Sequence, residues 1–272
     1  MVQAAAVSMG AQSRAGHGDW QPPSPVTLAI RLARMEAALS AWFGQHRRAL
    51  PWRKTRDPYA ILVSEVMLQQ TQVERVIPRY AAWLARWPTA AALAAASAAD
   101  VIREWQGLGY NRRALALHRA AKRIAAEGWP ADLTELPGVG RYTADALRNF
   151  AFGEAVLPMD VNVRRVLERT GGTFAPELAA ALMDLGATVC LARVPRCARC
   201  PLTFACPARG RRYEALRKQS RFEGSFRHRR ATTLRLVAAE PRPLGELDAE
   251  AVESLHLDGL VRVENGLVAL PA

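Results

Sequence analysis

Four cysteines constrain this chain more than any other feature. Cys190, Cys197, Cys200 and Cys206 fall within one short segment, and nothing before it contains a thiol. Such clustering argues for a single metal site rather than dispersed disulfides. The segment reads Cys190-LARVPR-Cys197-AR-Cys200-PLTFA-Cys206, a C-x6-C-x2-C-x5-C spacing. Four thiolates in one compact loop suit either zinc or a [4Fe-4S] cluster. Zinc sites more often pair two C-x2-C knuckles across a longer gap, and only one knuckle exists here, which favours iron-sulfur. The arginines between the cysteines would then sit on a braced loop able to meet phosphates.

The remainder of the chain suits a globular protein built around such a loop. Its 272 residues allow one large or two modest domains. A composition of 50% hydrophobic and 23% charged residues excludes a disordered, collagenous or disulfide-scaffold chain. No stretch approaches the ~18 uninterrupted apolar residues of a spanning helix, so no membrane association is expected. The formal charge is +12 and the pI about 10.5. A surplus of that size favours a polyanionic partner, most commonly nucleic acid, over a merely solvated basic surface. The N-terminus has no basic region before its few apolar residues and does not read as a secretory signal, so a reducing, cytoplasmic, nucleoid-associated location is expected.

Residues 1–25 carry Gly, Ser, Gln and a Pro-Pro pair without periodicity and read as a flexible leader. Helical spacing of apolar residues predicts helices over 28–43, 58–71, 73–86, 97–105, 111–126, 141–152, 160–170 and 176–189. No alternating strand pattern appears before about residue 230. Residues 208–230 are rich in arginine and read as a basic linker. Beyond it, 231–272 reads as two helices, the second ending at Gly259, and a hairpin turned at Asn265-Gly266, a small winged-helix-like module.

Three further segments carry chemistry. In Leu136-Pro137-Gly138-Val139-Gly140-Arg141-Tyr142-Thr143 a Gly-x-Gly turn opens into a helix, bringing backbone amides of Gly138, Val139 and Gly140 and a helix N-terminus to a phosphate. A tight helix-helix turn without a ligand is the plainer alternative. Glu65 lies among Ile61, Leu62, Val63, Val66, Met67 and Leu68, where burial would raise its pKa and leave a carboxylic acid able to donate a proton near neutrality. A salt-bridged helix-edge glutamate would look the same in sequence. One helical turn further, Gln69 is expected on the face of Glu65, with Gln70 about 100° away, both amides able to reach bases. Asp160 directly precedes an amphipathic run. It reads as an N-cap, as a fixed carboxylate able to stabilise a cationic transition state, or as both.

Together LPWR, DPY, SEVMLQQTQV, GLGY, LPGVGRYTA, MDVNVRRVL and the four cysteines resemble the iron-sulfur helix-hairpin-helix DNA glycosylases of the endonuclease III-like superfamily, most closely the adenine DNA glycosylase (MutY) family. The resemblance runs from about Leu50 to Cys206. It implies an all-α, two-lobed helix-hairpin-helix glycosylase fold, with a six-helix barrel over 51–155 and a cluster lobe from 26–50 and 156–207 that holds a [4Fe-4S] cluster. The target base would flip into the cleft between the lobes. Glu65 matches the acid that protonates the adenine leaving group, and Asp160 the carboxylate that stabilises an oxocarbenium-like sugar. Gln70 and Tyr110 match residues that wedge into the duplex. Arg53, Tyr142 and Asn162 match pocket or sugar-proximal positions. Tyr142 occupies the place of the endonuclease III lysine nucleophile, which implies a monofunctional glycosylase acting as a monomer on mismatched double-stranded DNA. Val161 stands where the adenine glycosylases usually have Gly, and Asp184 where a Glu helps read the flipped base. The archaeal thymine-guanine mismatch glycosylases are also similar around DPYAIL, MDVN and LMD, so the excised base is open between adenine, opposite 8-oxoguanine or guanine, and thymine or uracil. A non-catalytic DNA-binding module would require neither Glu65 nor Asp160.

Overall fold

Helix α1 (Pro25–His46) begins the computed structural model, which describes residues 25–213 and 221–272. The leader, apart from Pro25, and the middle of the basic linker lie outside the described residues. A 3-10 turn at Pro51–Arg53 then leads into α2 (Pro58–Leu68), which Asp57 starts by accepting the Tyr59 amide on its side chain. Every residue of α2 from Tyr59 to Met67 is buried, as its nearly uninterrupted apolar sequence requires. Around it lie α3 (Val73–Arg86), α4 (Ala90–Ala94), α5 (Ala98–Glu104), α6 (Arg112–Glu127) and α7 (Arg141–Phe150). These six helices share one core that includes Leu62, Val66, Trp83, Trp105, Leu117 and Leu147.

A second core joins Met35 and Leu39 of α1 to α8 (Val161–Thr170) and α9 (Ala179–Thr188), with Leu202 of the cysteine loop sealing it. The helical stretch expected over 176–189 opens with a 3-10 turn, because Pro176 can take the first position but supplies no amide. Ala90–Ala94, outside the helices expected from apolar spacing, forms α4, whose small side chains allow close packing on α6.

The C-terminal unit begins earlier than its composition suggests. Helix α10 (Phe226–Ala239) starts inside the stretch read as linker, because Ser225 caps it by accepting the His228 amide and the arginines that follow are helical. Next come β1 (Arg242–Pro243), α11 (Ala249–Leu257), β2 (Arg262–Glu264) and β3 (Leu267–Ala269), forming an antiparallel sheet in the order β1-β3-β2. The hairpin turns at Asn265 and Gly266, both with positive φ. Leu234, Val252, Leu255 and Val268 of this unit pack with Ile102 of α5 and Leu115 of α6. No helix among the described residues is long and apolar enough to cross a membrane.

α8 and α9 are in close contact at Gly186. A Cβ there would lie 2.6 Å from Asn162 Cβ and 3.0 Å from its carbonyl oxygen, so the helices would have to part. Gly186→Ala is therefore expected to destabilise the fold by about 1–3 kcal/mol, measurable by urea denaturation. Unchanged stability would mean that the two helices separate freely.

Candidate active site

Glu65 faces the start of α7 from the centre of α2. Its residue is only 7% exposed, and the Tyr142 hydroxyl donates a hydrogen bond to its carboxyl group. Burial raises the Glu65 pKa to about 7. The Tyr142 bond and the Arg53 charge act to lower it, and the Asp160 charge adds to the rise. Tyr142 is itself held neutral far above pH 7, first by burial and then by the facing charges of Glu65 and Asp160.

The Gly-x-Gly turn delivers Tyr142 to that place. Gly138 has φ +82°, and a Cβ on it would sit 2.9 Å from Ala116 Cβ, so a side chain is excluded by both backbone and space. Val139 is buried, Gly140 caps α7, and Gln69 donates to the Gly138 carbonyl at 3.3 Å.

Asp160 is an N-cap and more. One oxygen accepts the Val163 amide at 2.6 Å and the other the Asn162 side-chain amide at 2.9 Å. Asn162 in turn accepts from Arg165 at 2.6 Å, and Arg165 also donates to the carbonyls of Gly186 and Cys190, each at 2.7 Å. A continuous chain of hydrogen bonds thus runs from the carboxylate to the cysteine loop. Val161 begins α8 and is 74% exposed.

The expectation that Asp184 reads a base meets a different arrangement. Asp184 is fully buried, and both its oxygens are engaged: Arg53 donates at 2.5 and 2.9 Å, the Arg48 side chain at 2.5 Å and the Arg48 amide at 3.0 Å. Although burial pushes its pKa upward, these bonds to Arg53 and Arg48 hold the carboxyl below the usual range. An aspartate, one methylene shorter than glutamate, is withdrawn onto two arginines and acts as their counter-ion. Arg48, Arg165 and the arginine contacts of Asp184 had no signature in the sequence, because partners distant in the chain carry no local pattern.

The helical placement expected for Gln69 and Gln70 is not what the structure has. α2 ends at Leu68, so Gln69 is an extended cap and Gln70 turns left-handed at φ 56°, and neither continues the face of Glu65. Tyr110 is likewise left-handed, at φ 47°, and 46% exposed.

All four thiols line one cavity, walled by Val166, Leu185, Val189 and Leu202. Among the described residues no three His, Cys, Asp or Glu side chains close on a single ion. Two buried polar atoms of residues lining the cavity, Arg169 Nε and Thr203 Oγ1, have no partner. Arg169 is buried and donates to Cys190 Sγ at 3.2 Å, and the Gly210 amide donates to Cys197 Sγ at 3.3 Å. Burial lifts the Cys200 thiol to about 11 and raises that of Cys206. Thiols so placed need a cationic centre before they ionise. Donors aimed at sulfur from Arg169 and Gly210 suit a cluster with net negative charge.

Residues 63–184 match the family described as HhH-GPD superfamily base excision DNA repair protein. The chain is 41% identical to an adenine DNA glycosylase of Mycolicibacterium smegmatis, covering 82% of this chain and 91% of that protein. It is 39% identical to the adenine DNA glycosylase of Homo sapiens over 64% of this chain and 39% of that longer protein. Among solved structures, a thermostable thymine-DNA glycosylase is similar with a TM-score of 0.60 at 25% identity, covering 66% of this chain and 97% of that one. A trapped endonuclease III-DNA covalent intermediate gives 0.56 at 22% identity, with coverages of 66% and 95%.

The raised Glu65 pKa fixes how stability varies with pH. The folded carboxyl binds its proton up to about pH 7 while the unfolded one releases it near 4.5, so stability falls as pH rises between those values. Glu65→Gln keeps the shape without the charge. It should match the wild type at pH 4 and be more stable at pH 8 by on the order of 2 kcal/mol. Equal melting midpoints for the two proteins at pH 8 would show that Glu65 is not forced to ionise in the interior.

Proposed function

The chain belongs to the adenine DNA glycosylase family, and from that premise we propose that it hydrolyses the N-glycosidic bond of adenine mispaired with 8-oxoguanine or guanine in double-stranded DNA. The observation that carries this reading is the buried Glu65 carboxyl, with a pKa of about 7, set against Tyr142 and the fixed Asp160.

Adenine leaves a sugar poorly as an anion, so a proton must reach its ring as the bond breaks. Glu65 is half protonated near neutral pH and supplies that proton. Positive charge then develops on the sugar. Asp160 stands ready to stabilise it, with both oxygens already oriented by Val163 and Asn162, so no reorganisation is needed during the reaction. Water completes the hydrolysis. Tyr142 holds a neutral hydroxyl where a lyase requires an amine, and its hydrogen bond orients the Glu65 carboxyl group, so the product retains an intact abasic site. Arg53, fixed by Asp184, lines the same place as a charged donor for the base.

Gly138 and Gly140 present backbone amides to a phosphate, whereas the Val139 amide, expected to join them, is donated to the Leu136 carbonyl at 3.0 Å, and Gln69, Gln70 and Tyr110 contact the duplex. Cys190, Cys197, Cys200 and Cys206 would hold a [4Fe-4S] cluster. When bound, such a cluster braces the loop carrying Arg193, Arg196 and Arg199. The similarity to a thymine-DNA glycosylase structure supports removal of thymine opposite guanine as a second reading.

Excision from duplexes with adenine, thymine or uracil opposite guanine or 8-oxoguanine decides between them. Adenine release alone is expected, and preferential thymine or uracil release would overturn the first reading. Glu65→Gln should abolish base release while leaving mismatch binding within about tenfold, and single-turnover rates near wild type would remove Glu65 from the mechanism. Protein purified without air should contain stoichiometric iron and sulfide. Stoichiometric zinc without iron would refute the cluster.

A further inference from the structure

Gln70 and Tyr110 are two of only three non-glycine residues with positive φ among the described residues. Side chains rarely adopt this conformation, and its surroundings must hold it in place. One guanidinium does so for both. Arg113 Nη1 donates to the carbonyls of Val66, Met67 and Gln69 at 2.8, 3.0 and 2.5 Å. Its Nη2 donates to the Gly109 carbonyl at 2.9 Å, the Leu108 carbonyl at 3.3 Å and the Thr71 hydroxyl at 3.0 Å. Thr71 passes the link on, donating to Leu108 at 3.2 Å. The guanidinium also lies 5.2 Å from the Trp105 ring centre and 5.5 Å from that of Tyr110.

The carbonyls of Gln69 and Gly109 each belong to the peptide immediately before a left-handed residue. Anchoring both to one rigid, planar ion fixes how the next residue leaves the loop. We propose that Arg113 is the positioning residue that sets Gln70 and Tyr110 as a single paired wedge, so that both enter the duplex together as the target nucleotide turns out. The proposal rests on the glycosylase reading above. A lysine cannot substitute, because an ammonium has three donors and no plane to lie against Trp105.

A purely structural arginine, capping the last carbonyls of α2, would affect every substrate alike. A wedge-setting arginine matters only when a base must be extracted from the stack. The test uses the full chain with Arg113→Lys and, as a milder variant that keeps the side-chain shape, Thr71→Val. In a Glu65→Gln background, fluorescence of 2-aminopurine at the target position reports extrusion without chemistry. Extrusion should fall about tenfold in Arg113→Lys and about threefold in Thr71→Val. With Glu65 intact, excision should fall in parallel on paired duplex, yet come within about threefold of wild type when the target adenine faces an abasic gap and is already unstacked. Wild-type extrusion in either variant, or an equal excision loss on both substrates, overturns the proposal. If Arg113→Lys does not fold, Thr71→Val decides on the same criteria. If the unmodified chain releases no adenine, the glycosylase reading fails, while the fluorescence arm still judges Arg113.

Discussion

Burying one carboxyl group inside an apolar helix is the constraint on which the rest of the site depends. α2 is enclosed on all sides, and besides the Tyr59 hydroxyl, which donates to the Trp87 carbonyl, only two polar side chains lie in its buried stretch. Ser64 satisfies itself by donating to the Ile61 carbonyl at 2.8 Å. Glu65 has no such local solution, since a carboxyl group two atoms further from the backbone cannot turn back on its own helix. Its partner has to come from elsewhere, and Tyr142 fills that role from the first turn of α7. The Gly-x-Gly turn therefore has a part in the buried site. Gly138 lets the backbone pass close to Ala116, which brings Tyr142 against α2.

Arginine, rather than lysine, carries this architecture. The chain has only three lysines, at positions 54, 122 and 218. Arg113 binds two loops, Arg165 joins Asn162 to the cysteine loop, Arg169 ties Cys190 to the carbonyls of Leu191, Ala192 and Arg211, and Arg48 and Arg53 close on Asp184. Each makes bonds in several directions from one plane, which an ammonium cannot reproduce. A net charge of +12 therefore overstates the surface available to a polyanion, because several of these cations are spent on internal carbonyls and carboxylates.

What the sequence disclosed follows the range of the forces involved. Asp160 was legible as an N-cap because capping is local, and the cysteine loop because its four thiols lie close along the chain. Glu65 was legible because an acid inside an apolar run must be buried or displaced. The end of α2 was not. Gln69, Gln70 and Thr71 continue a plausible helical pattern, and what unwinds them is Arg113, more than forty residues later. The partners of Asp184 were hidden for the same reason: its arginines come from before α2 and the aspartate from α9. The start of α10 was hidden because its first turn is basic and resembles the linker before it.

The C-terminal unit has the strand order of a winged helix but not the charge of one that binds DNA. Residues 226–272 hold six arginines against seven carboxylates, a net of −1, leaving +13 on the rest of the chain. The exposed side of α11 carries Glu250 and Glu253, and the hairpin carries Glu264, where a groove-binding module would need cations. Four of its arginines are paired with its own carboxylates, Arg229 with Asp248 and Glu250, Arg230 with Asp258, Arg242 with Glu240 and Arg262 with Glu264. The apolar face covers Ile102 and Leu115, and Asp258 meets Arg112 at 3.5 Å, two residues beyond Tyr110. Its physical effect is thus exerted on the barrel, closing the apolar surface of α5 and α6 and fixing the base of the loop from which Tyr110 projects. The surplus of positive charge remains with the rest of the chain, outside residues 226–272.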